Sequence, residues 1–247
     1  MQNKHLVSAV GAIAILLASI FCLHPNAYAI NALQLYIEGS TYDSQTETWA
    51  ISSPSFKLWV LGDTKGISTN YIYNTFLVYA YDSAETGSVS FTSTTASPGF
   101  LPAPGDPSTP VTPTVFQSGN DTAPPYQGSE NGTLPSHGIY GPGISWMTWS
   151  IGDFVLADSP IGDYIDDVPT DFPDMGQINA YDVSVTGYSR VHFDAFDHVV
   201  TKQGSIQYVK APFSHDAETG TPVPEPASLS LLGLGLLGLI FRKKKII

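Results

Sequence analysis

Apolar and polar residues alternate in short runs along most of the chain, and turn-forming residues separate one run from the next. Residues 33–37 (LQLYI) have the β-branched and aromatic content of a strand. Residues 41–51 predict a hairpin with Asp43, Ser44 and Gln45 at its tip. In 56–61 (FKLWVL), Phe56, Leu58 and Val60 alternate with Lys57 and Trp59. Residues 71–81 form a long aromatic run, and 88–92 (SVSFT) follow after a glycine turn. Strands resume at 146–156, 178–185 and 189–196, with a short one at 206–209. No stretch between the termini sustains a 3.6-residue apolar period with caps, so helix is expected to be scarce there. Thirteen Tyr, twelve Phe and four Trp supply a core suited to strands.

Two stretches break the pattern. From 97 to 136, proline recurs at 98, 102, 104, 107, 110, 113, 124, 125 and 135. Proline lacks the ladder donor, so this stretch predicts a long loop or extended surface excursion inserted within one domain. Residues 159–176 are acidic and turn-rich. After 211–217, residues 218–222 read as a tether.

Both termini are apolar. Lys4 supplies a positive flank, 6–23 are almost unbroken apolar residues, and Pro25 breaks the run. Ala27 and Ala29 frame an A-x-A cleavage site for signal peptidase, so 1–29 read as a signal peptide and Ile30 as the mature start. An uncleaved anchor is the alternative, because the run is long for a signal peptide. The only cysteine, Cys22, lies inside it after the bulky Phe21, which argues against lipidation. The mature body then has no disulfide, no thiol nucleophile and no thiolate metal ligand.

At the other end, Pro224, Glu225 and Pro226 precede an apolar, Gly-punctuated run at 227–241 and the basic residues Arg242, Lys243, Lys244 and Lys245. The run is shorter than the about 20 residues that span a bilayer core, and snorkelling basic side chains make up part of the difference. The basic end should stay cytoplasmic and the preceding chain outside. This three-part arrangement, 223–247, resembles the PEP-CTERM sorting signal that exosortases recognise in Gram-negative bacteria. An ordinary tail anchor is the bland alternative. The resemblance implies transient residence in the inner membrane, an exosortase partner, and a final place at the cell surface or outside the cell.

Between the terminal segments, residues 30–222 carry five basic and 21 acidic residues, a net charge of −16. Such a surface repels nucleic acid and anionic lipid, and favours solubility or divalent cations. Within this body, GSTYDSQTETW from Gly39, PSHGIYGPG from Pro135, DSPIGDYIDD from Asp158, VHFDAFDHV from Val191 and APFSHDA from Ala211 resemble the exported proteins called choice-of-anchor N. That resemblance implies sorting through alternative C-terminal anchors, and no activity, cofactor or catalytic residue.

Three constellations could carry chemistry. Asp158, Asp163, Asp166, Asp167, Asp171 and Asp174 could offer oxygens to calcium, although their spacing is not that of an EF-hand, and a solvated loop explains them equally. His192, Asp194 and His198 share one face of a strand, with Asp197 beside them and His215 and Asp216 further on. With His215 packed nearby they could hold zinc or serve a metal-dependent hydrolase. The alternation of Val191, Phe193 and Ala195 instead reads as the buried side of an edge strand whose wet face carries the His and Asp. Ser214, His215 and Asp216 are sequence neighbours and give no triad signal, and there is no nucleophile elbow or phosphate loop. Trp49, Trp59, Trp146 and Trp149 could stack on sugar rings but are expected mainly in the core.

The expectation is an all-β protein, one antiparallel β-sandwich that could take a jelly-roll form. It has a Pro-rich insertion at 97–136, a signal helix before it and a membrane helix after it. No enzymatic activity and no cofactor are expected. The leading role is structural or adhesive, with exopolysaccharide or biofilm as the association. A carbohydrate- or calcium-binding module is the alternative, and a metal-dependent hydrolase the next.

Overall fold

The computed structural model describes residues 32–64, 71–95, 111–126, 132–135, 138–165, 167–200, 206–211 and 216–220. The two terminal apolar segments, Ala27, Ala29, the sorting-signal residues, Asp166, His215 and residues 96–110 lie outside these. Among the described residues there are thirteen strands and no helix. One sheet has the order β1 (Leu33–Ile37), β4 (Ser55–Gly62), β10 (Asp174–Thr186), β6 (Ser88–Thr94), with β9 (Ser159–Ile161) added to β10. The second has the order β2 (Thr41–Asp43), β3 (Thr48–Ile51), β13 (Asp216–Gly220), β11 (Arg190–Val200), β5 (Ile72–Asp82), β8 (Ile144–Phe154), β7 (Thr114–Asn120), with β12 (Ile206–Lys210) added to β11.

The two sheets pack as a sandwich because the alternating apolar residues of each face inward. Leu35, Phe56, Leu58, Val60 and Val183 from the first sheet meet Leu77, Tyr79, Ile151, Val191 and Phe193 from the second. Packing is close enough to forbid side chains at some points. A Cβ on Gly176 would lie 2.1 Å from the Gly62 carbonyl oxygen.

Part of each outer face is covered as well. On the first sheet, Trp59, Leu61, Ile178 and Ala180 lie beneath Ile161 and Tyr164 of the acidic segment. Gln34 pins that segment, donating to the Gly162 carbonyl at 3.1 Å and accepting from the Tyr164 amide at 2.9 Å. Tyr36, Trp49 and Tyr164 stack at centroid distances of 5.0 and 4.9 Å, contacts worth about 0.5–1.5 kcal/mol each beyond area burial. On the second sheet, Phe76, Val78, Ala80, Trp146 and Phe196 lie beneath Leu134 and Tyr140, with Ala123, Tyr126 and Ile139 alongside.

Several features differ from the sequence reading. β7 lies inside the Pro-rich stretch, in the proline-free interval between Pro113 and Pro124, and pairs with β8 along the sheet edge. In the remainder of that stretch, where described, Ala123, Tyr126 and Leu134 pack onto the outer face of the sheet. Residues 218–220 are not tether but part of β13, which runs parallel to β3, so the sandwich is not wholly antiparallel. β11 is not an edge strand, being paired with β5 on one side and with β13 and β12 on the other. Trp49, Trp59 and Trp146 are buried and Trp149 packs against the core, which leaves no exposed tryptophan platform among them.

Replacing Gly176 with Ala should destabilise the protein by about 1–3 kcal/mol, since backbone rather than a flexible side chain stands in the way. Denaturant titration of the variant against the parent measures this, and an unchanged midpoint would contradict the packing.

Candidate functional site

The period-2 alternation of β11 sends Val191, Phe193 and Ala195 into the core, and Arg190, His192, Asp194 and Phe196 to the outer face. β13 lies alongside with His192 opposite Glu218 and Phe193 opposite Ala217. Continuing that register sets Asp216 beside Asp194 on the same face. On the other side, β5 offers only Ala80 and Val78 next to His192 and Asp194. Four polar residues thus stand together with apolar neighbours, and all are buried: His192 and Asp194 are 3 % exposed, Asp216 0 % and Glu218 5 %.

The cover is what buries them. Asp121 holds the base of the covering excursion, accepting from the Gly143 amide at 2.8 Å and donating its own amide to the Ile144 carbonyl at 2.9 Å. It does so in the left-handed region, at φ 59°, which Asp tolerates better than most residues. Inside the excursion the Leu134 amide donates to the Pro124 carbonyl and the Tyr126 amide to the Gly132 carbonyl. The Trp146 indole donates to the Thr122 carbonyl at 2.8 Å. This is an Ω-like loop, with close ends and its own side chains as filling. Its Tyr140 hydroxyl donates to Asp194 Oδ2 at 2.5 Å.

Charge in this buried patch is balanced locally. His192 Nε2 lies 3.6 Å from Asp194 Oδ2 and 3.5 Å from Asp216 Oδ2, and its Nδ1 lies 3.8 Å from Glu218 Oε2. Arg190 pairs with Glu218. Burial alone would push the imidazole down, but the nearby Asp194 carboxylate, with Asp216 and Glu218 adding, holds it well above 6.5. Burial would raise Glu218, yet His192 and Arg190 hold it below its usual 4.5. Burial pulls the Lys210 ammonium below 10.5, against the opposing fields of Asp216 and Asp194. Burial, together with the Asp194 charge, keeps the Tyr140 phenol protonated well above 10. A cleft of about 260 Å³, lined in part by Tyr81, Asp82, Ile139, Arg190 and His192, reaches the patch from the surface.

Among the described residues, His192, Asp194 and Asp216 form the one group of three His, Cys, Asp or Glu side chains whose ligand atoms lie within 4.8 Å of one another. Sequence reasoning named His192, Asp194 and Asp216 in one constellation, but placed His192 and Asp194 on a wet face. It missed Glu218, Tyr140 and Lys210. The cross-strand register that joins β11 to β13 was the missing signal, because β13 was not recognised as a strand. The described residues of the acidic segment do not gather in this way. Asp167 and Asp174 accept from the amides of Val168 and Met175 at 2.8 Å, which is local turn capping. Asp158 accepts from Ser159, Asp163 is partly buried and Asp171 is exposed.

With a chelator present, two opposite pH slopes are expected. His192, raised on folding, contributes stability that is complete below about 6.5 and is lost as pH rises through its folded value. Glu218, lowered on folding, contributes stability present above about 4.5 and lost as pH falls through its folded value. Stability should therefore peak between these limits, and melting curves across pH check it. His192→Gln should cost about 3–5 kcal/mol and remove the alkaline slope, because it strands buried carboxylates. An unaltered slope in that variant would contradict the assignment.

Comparison with known families places one match on the chain: residues 222–245 match the PEP-CTERM protein-sorting motif. The carboxy-terminal segment therefore carries the sorting signal of an exported, exosortase-sorted protein. No curated protein matches the chain.

Proposed function

We propose that the chain is a non-enzymatic protein of the cell surface or extracellular matrix, with a structural or adhesive role in association with exopolysaccharide. The observation that carries this reading is the sorting motif at 222–245. The body suits the destination. Its net charge of −16 over residues 30–222 keeps it soluble outside the cell, and its lack of cysteine makes its folding independent of redox conditions. Part of each face of the sandwich is covered, and among the described residues the His192, Asp194 and Asp216 cluster is buried.

The choice-of-anchor N resemblance supports the same reading. Its five strings meet in two places: Tyr42, Trp49 and Tyr164 in the aromatic cover of one sheet, and Tyr140, His192, Asp194 and Asp216 in the charged cover of the other. Those strings thus correspond to the places where loops are fastened to the sandwich, which a scaffold requires and catalysis does not.

The anchor would work as a depth gauge. Proline at 224 and 226 would disfavour helix around Glu225 and so suit a protease, and Arg242 to Lys245 would set the orientation of the apolar run. In cells with the exosortase, the mature protein should lack 242–247 and appear outside the inner membrane. Without the enzyme, or with Pro224, Glu225 and Pro226 all replaced by Ala, the full-length chain should stay in the membrane fraction. Mature protein that still carries 242–247 in wild-type cells would overturn the sorting step. Co-fractionation with exopolysaccharide, lost when the polymer is absent, tests the association, and fractionation indifferent to the polymer would remove it.

A further inference from the structure

We infer that His192, Asp194 and Asp216 form a binding site for one divalent transition-metal cation of the zinc type, a site that fastens the covering loop to the sandwich. The argument rests on donor identity, spacing and surroundings. One imidazole and two carboxylates are a donor set for zinc and its first-row neighbours rather than for calcium, which takes oxygen alone. The contributing atoms lie 3.5 and 3.6 Å from His192 Nε2 and all fall within 4.8 Å of one another. A charge-assisted N–H···O bond would bring such atoms to about 2.7–2.9 Å. Bonds of about 2.0–2.2 Å to a shared tetrahedral ion instead set its ligands roughly 3.3–3.5 Å apart. The separations found are close to those of ligands around one ion.

The surroundings complete the site. Arg190 neutralises Glu218, which leaves the two aspartates and the imidazole as the donors. Tyr140 donates to Asp194 Oδ2 and so orients a ligand carboxylate from outside, as second partners of metal ligands do. The cleft of about 260 Å³ has His192 in its lining and so brings the surface close to one of the three ligands. Lys210, in the field of both aspartates, is the competing cation that a bound metal would relieve. The three ligands come from β11 and β13, and Tyr140 ties them to the loop, so one ion would join three separate parts of a body that has no cysteine for disulfides.

The test uses the purified full-length protein, stripped with a chelator and titrated with Zn²⁺ or Co²⁺ by calorimetry, with circular dichroism to confirm folding. One equivalent should bind and raise the melting temperature, and Co²⁺ should give the visible spectrum of a nitrogen–oxygen site. Asp216→Asn should weaken binding about 100-fold or more, and Tyr140→Phe about 10-fold. Lys210→Met should tighten it. Because Asp216→Asn could compromise folding, Tyr140→Phe provides the second reading, as it removes only a hydroxyl. Absence of binding in the folded parent, or binding undiminished in both Asp216→Asn and Tyr140→Phe, would overturn the site.

Discussion

The constraint on which the rest of the structure depends is the burial of carboxylates on the outer face of β11 and β13. Asp194 and Asp216 are removed from water, Asp194 beside the apolar Val78 of β5. Charges in such a setting persist only with partners and hydrogen bonds, because desolvation costs several kcal/mol per ion. His192, Arg190 and Lys210 supply the opposite charge and Tyr140 supplies a donor. A face so charged cannot be covered by apolar packing alone, and a loop without a polar handle could not settle on it. Tyr140 is that handle, and Leu134 and Tyr126 fill the apolar ground beside it.

The opposite sheet solves the covering problem differently. There the acidic segment is fastened by Gln34 and by the Trp49 indole, which donates to the Tyr164 carbonyl at 2.9 Å. Aromatic packing around Tyr36 and Trp59 does the rest. Asp167 and Asp174 of that segment accept from neighbouring backbone amides and so cap its turns. The sandwich therefore has a cover on each side, one aromatic and one electrostatic.

Much of the strand pattern was legible, since alternation in 56–61, 146–156 and 189–196 needs only the two-residue period. Its outer face was not. Polar residues at every second position look alike whether water or a folded loop covers them, so His192 and Asp194 read as solvated. Proline content foretold an irregular path at 97–136 but not β7, whose seven residues contain no proline. β13 was missed because Asp216–Gly220 (DAETG) has poor strand propensity, and pairing with β11 and β3 overrides it. The terminal signal was legible for the opposite reason. It is a sorting motif of contiguous residues, 222–245, so its information is linear.

The measurement closest to the centre of this account is hydrogen exchange at the amides of Tyr126, Leu134 and Gly143 in the full-length protein. Each donates within the covering loop or at its base. A cover held by the charged patch predicts exchange far slower than in an unstructured chain, and faster exchange at these amides in Asp194→Asn while the core strands stay protected. Exchange at the unstructured rate in the parent protein would mean that the loop does not cover the sheet, and the buried patch would lose its foundation.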